Sequence, residues 1–429
     1  MIKKATDRNP WAWVPSLYFA EGMPYTIVVL SVSATMFKRL GVSNTDIALY
    51  TSWMYLPWVI KPLWSPIVDI LKTKRFWVVS MQLLVGSALA GIAFSLPTNK
   101  FFQYILAFFW LLAFSSATHD IAADGFYMLG LSEHNQAFFV GIRSTFYRFA
   151  MLAGQGPLVI LAGEMEKISG NNQWAWSITF FIVAALFIAF FIYHFLILPY
   201  PASDGRRSTN TLKEVFAGFG KTFVSFFRKK GIVISLAFIL IFRLGEAQLV
   251  KLATPFLLDP VEKGGLGLTT IDIGTFYGTA GTIALTLGGI LGGILVSRQG
   301  LKKWMLPMVF AMNLPNLVYV FLSFVQPQNL WPIVGSIVVE QFGYGFGFTA
   351  FMLYMIYISD GKYKTAYYAL CTGFMALGMM LPGMMSGWLE ELLGYKYFFI
   401  WVMICTIPGF IIIRYLKYDP EFGIKQKAG

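Results

Sequence analysis

A chain of 429 residues of which 57% are hydrophobic and 13% charged, with a mean hydropathy of +0.64, has more apolar surface than a water-soluble core hides and reads as a membrane protein. The net charge of +12 does not call for nucleic acid, because the basic residues gather in alternate loops between apolar runs. Cys371 and Cys405 both fall inside such runs, which excludes an external disulfide framework and leaves them as packing residues.

The chain starts "MIKKATDRNPWAW", basic and then aromatic, as expected of a cytoplasmic tail leading into an interfacial anchor with no cleavable signal peptide. Apolar runs near or above the ~20 residues needed to cross a hydrocarbon layer then recur along the whole length, and helices are required because lipid offers backbone groups no partner. They predict about twelve spans, at roughly 12 to 37, 47 to 70, 76 to 96, 101 to 129, 137 to 163, 173 to 198, 232 to 257, 269 to 297, 303 to 323, 331 to 359, 365 to 390 and 396 to 417. Counting Lys and Arg in alternate loops gives 22 on one side and 6 on the other, so both termini are expected in the cytoplasm.

Between the sixth and seventh spans lies the longest polar break, from Leu198 to Gly231. Thr211 and Glu214 there form a capping box, and Leu212, Val215, Phe216, Phe219, Phe223, Phe226 and Phe227 keep helical spacing. An amphipathic helix on the inner leaflet is predicted, with Lys213, Lys221, Arg228, Lys229 and Lys230 near lipid headgroups. The break divides the chain into a six-helix half over 1–198, a linker over 199–231 and a second half over 232–429.

The halves repeat. "SPIVDILKTKRFW" at 65–77 lies without gaps over "GILVSRQGLKKW" at 293–304, matching Asp69 to Ser297, Lys74 to Lys302 and Arg75 to Lys303, and Ser132 and Ser359 close the fourth and tenth spans. Parallel repeats of six spans, with a substrate site between them near mid-membrane, resemble the major facilitator arrangement. The two segments look like that superfamily's gating motif, Gly-x-x-x-Asp-x-x-Gly-Arg-Lys, with Ser65 and Lys72 in place of the glycines of the first copy and Ser297 in place of the acid of the second. Glycines four apart, Gly288 with Gly292, Gly289 with Gly293 and Gly383 with Gly387, mark close helix contacts rather than sites.

An ionisable group in a spanning helix costs ~2.5 to 3.5 kcal/mol on insertion scales, so each is expected to face the protein interior with a partner or a task. Asp124, Arg143 and Lys61 lie toward the cytoplasmic end and are gating candidates with Asp69, Lys74, Arg75, Lys302 and Lys303. Asp120 and Asp124, four apart, look to one side, where Arg143 or Arg148 can neutralise them. An exchangeable set of partners and a permanent ion pair both fit that spacing. Candidates for substrate binding or proton coupling are Glu21, Tyr25, Asp120, Arg148, Arg243, Glu246 and Glu340. Arg243 and Glu246 are three apart and can satisfy each other, whereas Glu21 stands in "AEGMP", where Gly22 and Pro24 predict a kinked or unwound turn. A hydrogen bond to a nearby Tyr or Ser suits Glu340 as well as a proton does, and the offset of His119 from Asp120 points it away from the cavity.

"YLPWVIKPLWSPIVD" at 55–69, "ATHDIAADGF" at 117–126 and "EGMP" at 21–24 resemble the AmpG muropeptide permeases and the related acetyl-CoA transporters. Lys61, Trp64, Pro66, Asp69, Asp120, Ile121 and Asp124 match that family's pattern, while His119, Ser65 and Trp58 depart from its usual Gln, Ala and Tyr. The resemblance implies an all-α membrane protein of major facilitator fold, in two pseudo-symmetric halves. Its implied function is proton-driven import of N-acetylglucosaminyl-anhydro-N-acetylmuramic acid, with or without stem peptide, across a bacterial inner membrane. Another organic anion, a sugar or a drug is the alternative cargo, and a non-transporting sensor is a further alternative. A monomer among membrane lipids is expected, with a small-molecule substrate, no cofactor, no metal, no nucleic acid and H⁺ as coupling ion. Three scattered histidines and the lack of a phosphate or metal motif speak against an enzyme.

Overall fold

A computed structural model describes residues 8–204, 212–361, 363–419 and 422. The side chains of a few helical positions, among them Asp69 and residues 212–217, fall outside that description, as does Thr211 of the expected capping box. Helices and turns are the only regular elements among the described residues.

A short 3₁₀ turn leads into α1 (Val14–Val29), which carries a proline in its first turn where no N–H is needed. After a bend of 42° the chain continues as α2 (Ser31–Arg39). Next come α3 (Asn44–Trp53), α4 (Leu56–Leu71) and α5 (Lys74–Ser95), with Ser43 capping α3 and Thr73 capping α5 through their hydroxyls. Helix α6 (Phe101–Gly130) carries the two intramembrane aspartates, and α7 (Glu133–Gln155), capped by Ser132, breaks at Gly156 into α8 (Pro157–Ser169). Helices α9 (Asn172–Ile197) and α10 (Leu212–Phe227) complete the first stretch.

The second stretch opens with α11 (Ile232–Ile241) and α12 (Leu244–Leu258), separated at Phe242 and Arg243. One turn of helix, α13 (Thr270–Asp272), runs through a π-helical segment (Ile273–Gly281) into α14 (Thr282–Gln299). Then come α15 (Leu301–Asn313), α16 (Leu317–Val325), α17 (Leu330–Ile358) and α18 (Lys364–Ile413). The last is two helices that meet across a kink at Gly394, whose φ of 70° only glycine adopts without strain.

Seven helical segments among the described residues are long and apolar enough to cross a membrane, and the bent pair α1–α2 makes an eighth. The difference from about twelve expected runs has local causes. The second run is split between Trp53 and Leu56, the fifth is split at Gly156–Pro157, the tenth stands whole as α17 but is not among the qualifying segments, and the eleventh and twelfth are joined through Gly394. The expected unwinding beside Glu21 does not occur: α1 runs unbroken through Gly22 and Pro24, and the bend falls at Leu30. Gly22 is there for closeness, since a Cβ on it would stand 2.8 Å from the Tyr147 carbonyl oxygen of α7.

Contacts divide the chain into two units, one made of the chain up to Met36 with Ile60–Gly218, the other of Phe37–Val59 with Phe219–Gly429. Segment Phe37–Val59, allotted by the sequence repeat to the first half, packs within the second unit. Glycines on α18 make room for it, Gly383 against the Ser52 hydroxyl and Gly387 against the backbone of Asn44. In the first unit Trp13, Val78, Ile121 and Phe126 are buried together. In the second, Phe242 stacks on Phe351 at 5.1 Å and 8° within a core that includes Phe238 and Tyr354. Gly288 and Gly292 of α14 lie against the backbone and Thr349 of α17, as small residues four apart should.

Candidate functional site

The first unit gathers its intramembrane charges from four helices. Asp120 and Asp124, one helical turn apart on α6, each meet a cation from another helix: Lys61 of α4 lies 3.5 Å from Asp120, and Arg143 of α7 lies 3.1 Å from Asp124. Tyr18 of α1 knits the second pair, donating to Asp124 at 3.1 Å and receiving Arg143 at 2.8 Å, with the guanidinium also over the Tyr127 ring. Glu21, one turn beyond Tyr18, is 8% exposed, and its Oε2 accepts no hydrogen bond. The charges of Asp120, Asp124, Lys61 and Arg143 all reach it. Three acids thus share two cations. Tyr25, half-buried, follows on α1, and Arg148 is exposed farther along α7.

Lys74 and Arg75 sit at the start of α5, where Asp204 accepts their backbone N–H groups at 2.7 and 3.0 Å and so caps the helix. The Arg75 guanidinium donates to the carbonyls of Leu198, at 3.3 Å, and Phe195 at the C-terminal end of α9, and stacks 3.9 Å from the Tyr200 ring. Lys302 and Lys303 are exposed at the start of α15, and the side chain of Asp69 lies outside the described residues.

His119 turns away from the two aspartates. Gln82 of α5 donates its amide to His119 Nε2 at 3.0 Å and accepts from His194 Nδ1 at 2.9 Å, and Ser16 meets His194 Nε2 at 2.9 Å. With the amide so placed, each imidazole offers one lone pair and one N–H, a pattern that neutral rings satisfy and charged ones do not. The chain Ser16–His194–Gln82–His119 staples α1, α9, α5 and α6.

The second unit holds a different arrangement. Arg243 stands at the break between α11 and α12, donates to the Tyr344 hydroxyl and lies over the Phe348 ring at 5.0 Å. Glu246, in the first turn of α12, is 1% exposed, and neither of its oxygens has a hydrogen-bond partner. Its neighbour in charge is Glu340 of α17, 2% exposed, which accepts from Gln341 at 2.9 Å and from Tyr319 at 3.5 Å. Lys251 is occupied elsewhere, donating to Thr51 at 3.2 Å and lying over the Tyr55 ring at 5.0 Å.

One polar network has no counterpart among the residues picked from sequence. Lys38 meets Asp259 at 2.6 Å and Asn44 at 2.7 Å. Asn44 donates to Glu390 at 2.6 Å and to Tyr395 at 2.8 Å, and Tyr395 donates to Asp259 at 2.6 Å. Beside it opens a cavity of about 550 Å³ lined by Arg39, Lys263 and Glu391 as well. All these residues sit in loops or helix ends on the face the basic count assigns to the outside, and apart from Lys38 and Asn44 the partners are more than a hundred positions from each other, so no local pattern marks the network.

A sequence model of the Major Facilitator Superfamily matches residues 16–361. The chain is 26% identical over 416 residues to an AmpG 4 transporter sequence of Rickettsia conorii, covering 94% of this chain and 95% of the relative. It is 25% identical over 414 residues to the anhydromuropeptide permease of Escherichia coli strain K12, covering 95% of this chain and 79% of that one. Among solved structures, the nucleoside transporter NupG superposes with a TM-score of 0.70 at 15% identity, over 96% of this chain and 100% of that chain. A D-xylose-proton symporter gives 0.71 at 9% identity, over 95% and 97%. These likenesses fix the fold, and the helices make the protein a multi-pass one of the bacterial inner membrane. With a family model spanning most of its length and AmpG-named relatives along nearly all of it, the chain belongs to the Major Facilitator Superfamily and is AmpG-like within it.

Proposed function

We propose that this protein is a secondary transporter, not an enzyme, that imports peptidoglycan-derived amino sugars of the N-acetylglucosaminyl-anhydro-N-acetylmuramic acid type together with protons, by alternating access. The similarity to the Escherichia coli anhydromuropeptide permease supports the cargo class. The observation that carries the reading is the three-acid, two-cation cluster of the first unit. Lys61 and Arg143 keep 29% and 30% of their side chains exposed while paired, so an incoming carboxylate can take an aspartate's place. Muramic acid supplies such a carboxylate through its lactyl group, and the bidentate geometry of Arg143 suits it. The cluster is thereby a cargo site whose cations change partners.

The test is uptake of labelled N-acetylglucosaminyl-anhydro-N-acetylmuramic acid into proteoliposomes with and without an inward proton gradient. Accumulation that collapses with an uncoupler is the expected result. Absence of uptake under both conditions, beside an active control permease, would remove this cargo and lead to a screen of sugars and organic anions.

A further inference from the structure

The second unit buries two carboxyl groups, Glu246 and Glu340, near enough for each other's charge to act, and near one guanidinium, Arg243. Two anions with one cation leave one negative charge too many for a buried site, and a buried charge without a partner costs several kcal/mol. The surroundings divide the two acids unequally. Glu340 receives donors, the Gln341 amide and the Tyr319 hydroxyl, which suit a carboxylate. Glu246 receives none at either oxygen, which suits a neutral carboxylic acid.

Backbone irregularity converges on the same place. Glu246 stands three residues past the break in front of α12. The π-helical segment Ile273–Gly281 carries Tyr277, whose hydroxyl feels the charge of both acids. Wide helical turns and broken helices in transporters occur where a site must be built or must move. From the other helices packed on this turn come groups that do not compete. Against the neighbouring Gly245, α18 sets Val402 and Thr406. One turn on, Cys405 of the same helix is engaged by Gln248, and α3 presents Thr51 to Lys251.

We propose that Glu246 is the group that takes up and releases the coupling proton, with Glu340 and Arg243 as the fixed charges that its proton balances. The inference rests on the reading of this chain as a gradient-driven importer and adds where its ion binds: in the second unit, apart from the cargo cluster of the first. On one side of the membrane a hydronium ion hands its proton to the Glu246 carboxylate, forming the O–H bond and leaving water. On the other side water takes the proton back, leaving the carboxylate. A sodium ion fits this place less well, since it needs oxygen acceptors all around it, whereas Gln341 and Tyr319 turn N–H and O–H groups toward Glu340.

Infrared difference spectra of the purified full-length protein in lipid, acid minus alkaline, test the site without any cargo. The expected result is a protonated-carboxyl C=O band that is lost in Glu246→Gln and shifted in frequency in Glu246→Asp. An unchanged band in both variants would overturn the proposal, as would a wild-type band that answers to Na⁺ at fixed pH. If Glu246→Gln does not fold, the frequency shift in Glu246→Asp decides alone. In proteoliposomes, one proton per cargo lets a gradient of one pH unit sustain about tenfold accumulation. Glu246→Gln should bring that to unity, and retained accumulation would overturn the assignment. Wild-type protein that shows the band but moves no muropeptide would remove the cargo and leave the proton site standing.

Discussion

Lys61 and Asp120 are the clearest case in which a single contact has two readings. At 3.5 Å, with side chains 29% and 15% exposed, the pair is strong enough to hold α4 to α6 and open enough to exchange. Lys61→Gln and Asp120→Asn should each lower thermal stability in detergent by about 1–3 kcal/mol, because each takes away one side of a partly buried, charge-assisted contact between α4 and α6. The double variant should regain much of that stability, since a neutral pair needs no partner. Uptake should not return with it if Lys61 must meet cargo. Recovery of uptake together with stability would reduce the pair to a strut. His119 offers the opposite case, a titratable residue with a structural task. His119→Gln should keep both stability and uptake, because a glutamine oxygen can accept from the Gln82 amide as the imidazole does. His119→Leu should cost about 1–3 kcal/mol by stranding that buried donor, read as a fall in unfolding temperature. Equal behaviour of the two variants would dismiss the staple.

Helix ends show where the gating motif leads. Laid over the superfamily's pattern, Lys74 and Arg75 look like members of a charge lock, yet their N–H groups are taken by Asp204 and the Arg75 guanidinium by the end of α9. Asp204 lies in the linker, where burial pushes its carboxyl above the ordinary value despite the two N–H donors. Its charge therefore contributes less than its acceptor oxygens do. Asp204→Ala should cost about 1–2 kcal/mol as the loss of a helix cap, and Asp204→Asn, which keeps one acceptor, clearly less; thermal unfolding of both variants checks this. The elements themselves were largely readable. Ser132 and Ser43 cap helices as their type predicts, and Gly288 and Gly292 make the close contact their spacing announces. Less readable was the effect of Gly and Pro within apolar runs. Pro24 leaves α1 whole and the bend falls at Leu30, whereas Gly156–Pro157 splits a run into α7 and α8. Composition names the same breakers in both, and tertiary packing, such as Gly22 against Tyr147, decides between them.

Across the whole molecule the family and the fold were legible because they follow from hydropathy, the repeat and a few motif residues, whereas the sites were legible only one residue at a time. Glu246 and Glu340 each stood out as an acid in an apolar run, but no spacing tells that residues ninety-four positions apart share a charge. Farther still from any pattern is the network of Lys38, Asn44, Asp259, Glu390 and Tyr395, which holds segment Phe37–Val59 to α12 and α18. If alternating access includes a parting of this network, its bonds set how often the segment opens. Losing one charge-assisted bond of this kind, worth about 1.5–3 kcal/mol, should raise the parted population by about tenfold or more. Asp259→Asn removes the charge that Lys38 meets while keeping the shape that Tyr395 touches. In that background a cysteine placed at Leu258, buried beside the cavity, should react about tenfold faster with a membrane-impermeant maleimide added outside. Raising the salt concentration in the parent should not reproduce the effect, because the ion pair is 16% and 7% exposed and little screened. An unchanged rate would mean that the bonds brace the segment without governing access, and an equal gain from salt alone would place the controlling charges on the rim of the cavity, at half-buried Arg39 or exposed Lys263 or Glu391.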